Sequence, residues 1–345
     1  MQKKYVFIER ERERERDGKI YVFDLMRGLA SFFLVFQHYF FHCKYYGLLP
    51  FIAGTSIFYF ISGFVIPMSF ERNTLKQWLV KRFFRLYPTI LFILCISLCV
   101  TLFIKGEHTI RGIDIDVKNI FLNLTFTPHL FLHNNDRLYY YLYIATTWTI
   151  CVDFTFYFLL IIAYKIFKKP KCRINFVVVL TLISLVVVKI LHKKFHIYGA
   201  MLETLTCLMP FYFGMASYYY SKNYITKQHF ILLTLLIFFP IAFHNHYHKY
   251  VIGGLLMLYL LTYHKELGNN KIVRFFAHIS YPMFLVHSII PILIWSYTDN
   301  CLTNGVSRGY FFVLYPAMIP ICYFIYRFIE KPCNEFGRKI TANMK

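Results

Sequence analysis

The chain has 345 residues, of which 58% are hydrophobic and 21% aromatic, and it carries a formal net charge of +21. With a mean hydropathy of +0.48 it is too apolar for a soluble domain of this length. Its Lys and Arg residues lie in short segments between apolar runs rather than in one basic domain, which excludes a nucleic-acid-binding reading.

In chain order, residues 9–16 alternate Glu and Arg and have no apolar position, so residues 1–19 read as a charged, solvated tail. Apolar runs then recur at about residues 21–41, 49–70, 86–104, 142–164, 174–191, 200–218, 229–243, 250–263, 277–297 and 309–328. The expected fold is therefore all-α, a polytopic membrane bundle of about ten transmembrane helices. Most of the 38 Lys and Arg residues fall in alternate connections, which places the N- and C-termini in the cytosol by the positive-inside rule. The domain reading is a tail over 1–19, a membrane domain over 20–330 and a cytosolic C-terminal tail over 331–345. The longest outer segment, about 105–141, holds Glu107, Arg111, Asp114, Asp116, Asp136 and Arg137, and reads equally as a lid or as a connector. Nine cysteines are scattered without Cys-x-x-Cys or His/Cys ligand spacing, so no metal is expected.

The first apolar run carries Arg27 and His38 where apolar residues are expected. At 11 positions apart, they stand ~16 Å from each other along a helix and within about 20° of one face. Charged or ionisable residues inside a span are costly to keep and mark function by default. Four further patterns follow. Phe58 to Ile66 is an aromatic segment around Ser62 and Gly63, small residues that allow close approach of a backbone or a substrate chain. In the segment between the second and third runs, expected as a cytosolic loop, Arg82 and Arg85 are three apart, a spacing that suits bidentate phosphate recognition. Trp148-Thr-Ile-Cys-Val-Asp153 opens the fourth run with an intramembrane carboxylate. Ser280-Tyr-Pro-Met-Phe284-Leu-Val-His287 places a histidine midway through the ninth run, and Phe328-Ile-Glu330-Lys-Pro332 closes the last one.

Taken alone, each pattern also has a structural reading: helix packing for Ser62, a membrane anchor for Arg82 and Arg85, and an interfacial residue for His287. Asp153 is open to three roles: neutralising Arg27, orienting His38 or holding an acceptor hydroxyl. Glu203, near the outer end of the sixth run, reads at least as well as an interfacial structural residue, and Glu330 reads as a cap of the last helix.

Together and in this order, residues 24–38, 58–66, 82–88, 148–153, 279–287 and 328–332 resemble the acyltransferase-3 family of integral membrane O-acyltransferases. Two departures stand out: Asp153 is where the family has Glu, and Phe284 is where it has Tyr. The resemblance implies a stand-alone enzyme without a fused SGNH-type domain. It implies transfer of an acyl group, most simply acetyl, from cytosolic acyl-CoA to a hydroxyl of an extracytoplasmic carbohydrate such as O-antigen, capsule or exopolysaccharide, across a bacterial inner membrane. His38, Arg27 and Asp153 become the catalytic candidates. Arg82 and Arg85, with Arg27, become the acetyl-CoA or acyl-CoA contacts, and Ser62, Trp148 and His287 line the acceptor site. The partners are then the donor, a glycan or lipid-linked sugar and the lipid bilayer, with no nucleic acid. The rival reading is a transporter or flippase that uses Arg27, His38 and Asp153 as a charge pathway.

Overall fold

The computed structural model describes residues 20–40, 54–104, 108–110, 113–127, 142–195, 199–242, 248–289 and 308–344. Expectations for the tail over 1–19, for Glu107, Arg111, Asp136 and Arg137, and for the end of the ninth run lie outside the described residues.

The described chain is helical apart from one small hairpin. The helices are α1 (Tyr21–Phe40), α2 (Gly54–Glu71), α3 (Leu75–Cys99), α4 (Val117–Thr125), α5 (Trp148–Ile166) and α6 (Pro170–Phe195). They continue with α7 (Gly199–Ser221), α8 (Lys227–Ala242), α9 (His248–Tyr263), α10 (Lys271–Val286), α11 (Arg308–Ile325) and α12 (Lys331–Ala342). Leu75–Phe103, Trp148–Ile166, Pro170–Phe195 and Phe312–Ala342 are each long and apolar enough to cross a membrane. Their outward residues are apolar too: on α6 Val179, Ile183, Val186, Val187 and Ile190 are exposed, as a lipid-facing surface requires. The helices α8 and α9 have 16 residues each and rise ~24 Å, short of a hydrocarbon core of about 30 Å.

Three packing relationships position the site. First, α1 buries the stripe Val22, Met26, Ala30 and Leu34, whose spacing of four keeps it on one face. Gly28 on α1 lies against Phe276 of α10, where a Cβ would stand 3.2 Å from the Phe276 Cβ. Farther along, His38 lies beside His287, so α1 and α10 run parallel and in register. Second, α2 runs antiparallel to α1. Its first residue, Gly54, touches the backbone of Ala30, and Phe64 farther along stacks edge-on with Phe23 at 5.2 Å. Third, α2 and α7 cross backbone to backbone. A Cβ on Gly63 would meet the Phe211 carbonyl oxygen at 2.0 Å, and one on Gly214 would meet the Phe60 carbonyl oxygen at 2.1 Å. Only glycine permits that approach.

One end of the bundle is tied by a polar knot. Glu71, the last residue of α2, accepts hydrogen bonds from Tyr164 at 3.2 Å and Tyr218 at 2.8 Å, with Arg173 at 3.9 Å. The Arg173 guanidinium also lies 3.8 Å above the Tyr164 ring.

Two expectations change. The segment holding Arg82 and Arg85 is not a loop: Thr74 and Gln77 form a capping box, and the helix runs from Leu75 through Pro88. Residues 331–342, expected as tail, form α12, continuous with α11 through a π-helical turn at Tyr326–Glu330. In the outer segment a short hairpin pairs Thr109 with Asp114, and Asp116 caps α4 through the Asn119 amide at 2.6 Å.

Candidate functional site

The site has two ends joined by one face of α1. At the first end, Arg27 of α1 and Arg82 and Arg85 of α3 share one electrostatic neighbourhood, together with Asp24 and Glu330. Arg82 lies over two aromatic rings, Trp78 at 5.7 Å and Tyr157 at 5.9 Å. Trp78 is fully buried one helical turn before Arg82, so the indole is a rigid floor for the guanidinium. Tyr157 sits one turn after Asp153 on α5, and Asp153 has Arg82 as its charged neighbour. Among the described residues the buried Oδ1 of Asp153 has no hydrogen-bond partner. The structure thus gives this carboxylate a neighbour different from the two weighed in the sequence, Arg27 and His38. Arg85 lies 5.7 Å over the Tyr281 ring and is ion-paired with Glu330. The Tyr281 hydroxyl donates to the Leu86 carbonyl at 3.2 Å, which locks α10 to α3 beside the arginines.

At the other end, the rings of His38 and His287 are 5.3 Å apart and inclined at 39°. His38 is exposed near the end of α1, whereas His287 is 2% exposed. Its Nδ1 lies 3.1 Å from the Met283 carbonyl oxygen. A carbonyl only accepts, so Nδ1 carries the hydrogen and Nε2 is the basic atom of the neutral ring. Beside it the hydroxyls of Ser288 and Thr146 are 3.2 Å apart, which brings the turn before α5 to the end of α10. Phe284 continues this wall, 6.1 Å from His287 and 5.9 Å from Phe58.

The remaining sequence candidates are Trp148 and Ser62. Trp148 lies edge-on to Tyr59 at 6.3 Å, and Tyr59 stacks on Phe211 at 4.7 Å. Ser62 is half-buried on α2, next to the Gly63 crossing. Sequence reasoning missed Tyr157, Tyr281 and the partner of Glu330. A signal existed for Trp78, four positions before Arg82 and hence on its helical face. Among the described residues no three His, Cys, Asp or Glu side chains are placed to hold a metal ion.

This layout defines a helical membrane protein with a charged interior site: three arginines at one end, two imidazoles at the other and a single helix joining them. Residues 20–327, nearly the whole chain, match the family described as acyltransferase domain (Acyl_transf_3), and the protein belongs to that family. It is a membrane acyltransferase. No curated protein and no solved structure matches the chain.

Proposed function

We propose that the protein moves an acyl group, most simply acetyl, from cytosolic acyl-CoA to a hydroxyl of an extracytoplasmic carbohydrate. The observation that carries this reading is that α1 links an arginine cluster to a histidine pair. Arg27 and His38 lie ~16 Å apart on one helix face, a span comparable to an extended pantetheine arm. The donor phosphates sit among Arg82, Arg85 and Arg27, where planar guanidinium groups match phosphate oxygens. The thioester then reaches the imidazole end. His38, exposed beside the buried His287, takes the proton from the acceptor hydroxyl as that oxygen attacks the thioester carbonyl. The thiolate of coenzyme A leaves and is protonated as it departs. Ser62, Trp148 and His287 line the acceptor side, and Asp153 balances the charge of Arg82. This reading also puts the arginine end toward the cytosol of a bacterial inner membrane, in line with the distribution of Lys and Arg along the chain.

The test is base-labile ester analysis, by mass spectrometry, of surface glycans from cells lacking the gene, restored with it, or restored with His38→Ala. An ester present only with the intact gene supports the reading, and its mass names the group. Identical glycans in all three strains would remove it and favour a carrier.

A further inference from the structure

Glu330 closes the final motif of the sequence and reads there as a helix cap. In the structure it is 1% exposed and ion-paired with Arg85, 245 positions away. It lies on the π-helical turn Tyr326–Glu330 that joins α11 to α12. Such turns re-aim side chains and recur at functional sites. The turn is held against α3 from the far side. Phe336 and Gly337 pack on Phe84, and the Gln77 side chain donates to the Thr341 and Met344 carbonyls at 3.2 and 2.9 Å. One carboxylate oxygen, Oε1, meets Arg85, and Oε2 is buried without a hydrogen-bond partner among the described residues. Arg27 also lies within the electrostatic reach of Glu330.

Three guanidinium groups in one neighbourhood repel one another, and among the described residues the carboxylates of Asp24, Asp153 and Glu330 offset that repulsion. A bound anion would offset it as well. Glu330 and an incoming phosphate therefore compete for the same positive field, and Arg85 has donors left over for only part of each. We propose that Glu330 is the resident counter-ion of the arginine cluster: it holds Arg85 in the empty site and lowers anion affinity enough for coenzyme A to leave after transfer. The proposal rests on the donor reading above for the identity of the anion, but the counter-ion role itself applies to any phosphate.

The experiment uses the full chain purified in detergent, with coenzyme A and inorganic pyrophosphate as separate probes. Glu330→Gln should bind coenzyme A roughly tenfold more tightly than wild type, the scale of one nearby charge removed at intermediate dielectric. Its kcat and KM should fall together, because release slows. Without ligand it should unfold at lower temperature than wild type, and pyrophosphate should raise that temperature more than it does for wild type. Glu330→Asp, which keeps the charge, should stay closer to wild type than to Glu330→Gln. If Glu330→Gln cannot be recovered, the double variant Arg85→Gln, Glu330→Gln should be, because it removes the charge together with its partner; loss of both variants overturns the proposal. It is also overturned if Glu330→Gln binds coenzyme A no more tightly and gains no extra stabilisation from pyrophosphate. If wild type ignores coenzyme A while pyrophosphate still rescues Glu330→Gln, the counter-ion role stands and the acyl-CoA reading falls.

Discussion

His38 and His287 come from helices at opposite ends of the sequence, yet their rings lie 5.3 Å apart. The two side chains are not equivalent. His287 is buried with its Nδ1 hydrogen committed to the Met283 carbonyl, whereas His38 is exposed. A neutral His287 can accept a proton only at Nε2; in the proposed reaction it would relay or share the proton taken up by His38.

His287→Gln keeps a polar side chain of similar length but removes that basic nitrogen. Acyl transfer should fall by about 10²-fold, within the range of a lost acid–base partner, with thermal unfolding nearly unchanged. Initial rates in membranes containing equal amounts of protein check this, and a full-rate His287→Gln variant would reduce His287 to a wall of the site.

The glycine crossing of α2 and α7 predicts a stability effect separate from chemistry. A methyl group at Gly63 or Gly214 would stand 2.0 or 2.1 Å from a backbone oxygen, so the helices must separate to admit it. Gly63→Ala or Gly214→Ala should cost ~3 kcal/mol or more, at or beyond the upper end of overpacking penalties. Thermal unfolding in detergent and the yield of folded protein are the readouts.

Just before α5, Tyr143 packs on the outer segment and gives a pH-dependent prediction. Its hydroxyl donates to the Asp114 carbonyl at 2.7 Å, and burial, aided by the carboxylates of Asp116 and Asp114, pushes the phenol up to about 12. The folded protein therefore holds the Tyr143 proton more tightly than the unfolded chain, whose phenol titrates near its ordinary value of about 10. The stabilisation is complete below pH ~10 and is lost as pH rises toward about 12. Limited proteolysis of the segment around 108–127 should accelerate over that interval. Tyr143→Phe, which cannot ionise, should flatten the change.

Much of this arrangement was legible in the sequence, and the reasons differ by residue. The shared face of Arg27 and His38 follows from helical periodicity alone, because 11 residues return close to the starting direction. Arg82 and Arg85 were legible as a pair but were assigned to a loop. The Thr74–Gln77 capping box starts a helix there, and Pro88 sits within it. Glu330 could be read only as the end of a helix, because its partner Arg85 is supplied by tertiary packing. Asp153 shows the same limit: its position within a span was visible, and Arg27, His38 or an acceptor hydroxyl could be weighed, but its neighbour Arg82 is set by the rotation of α5. The hairpin and α4 in the outer segment were hidden by their brevity, although Asp116 three residues before Asn119 is a recognisable cap.

The parallel pairing of α1 with α10 also has a consequence for biosynthesis. The helix bearing Arg27 and His38 is synthesised first, but α10, the helix it pairs with in register, is among the last. Until then His38 lacks the ring it packs beside, and an ionisable side chain within a span is costly in lipid. Maturation of the site is thus a late, long-range event, and slowing it should expose the unfinished chain to membrane proteases before any catalytic group has been altered.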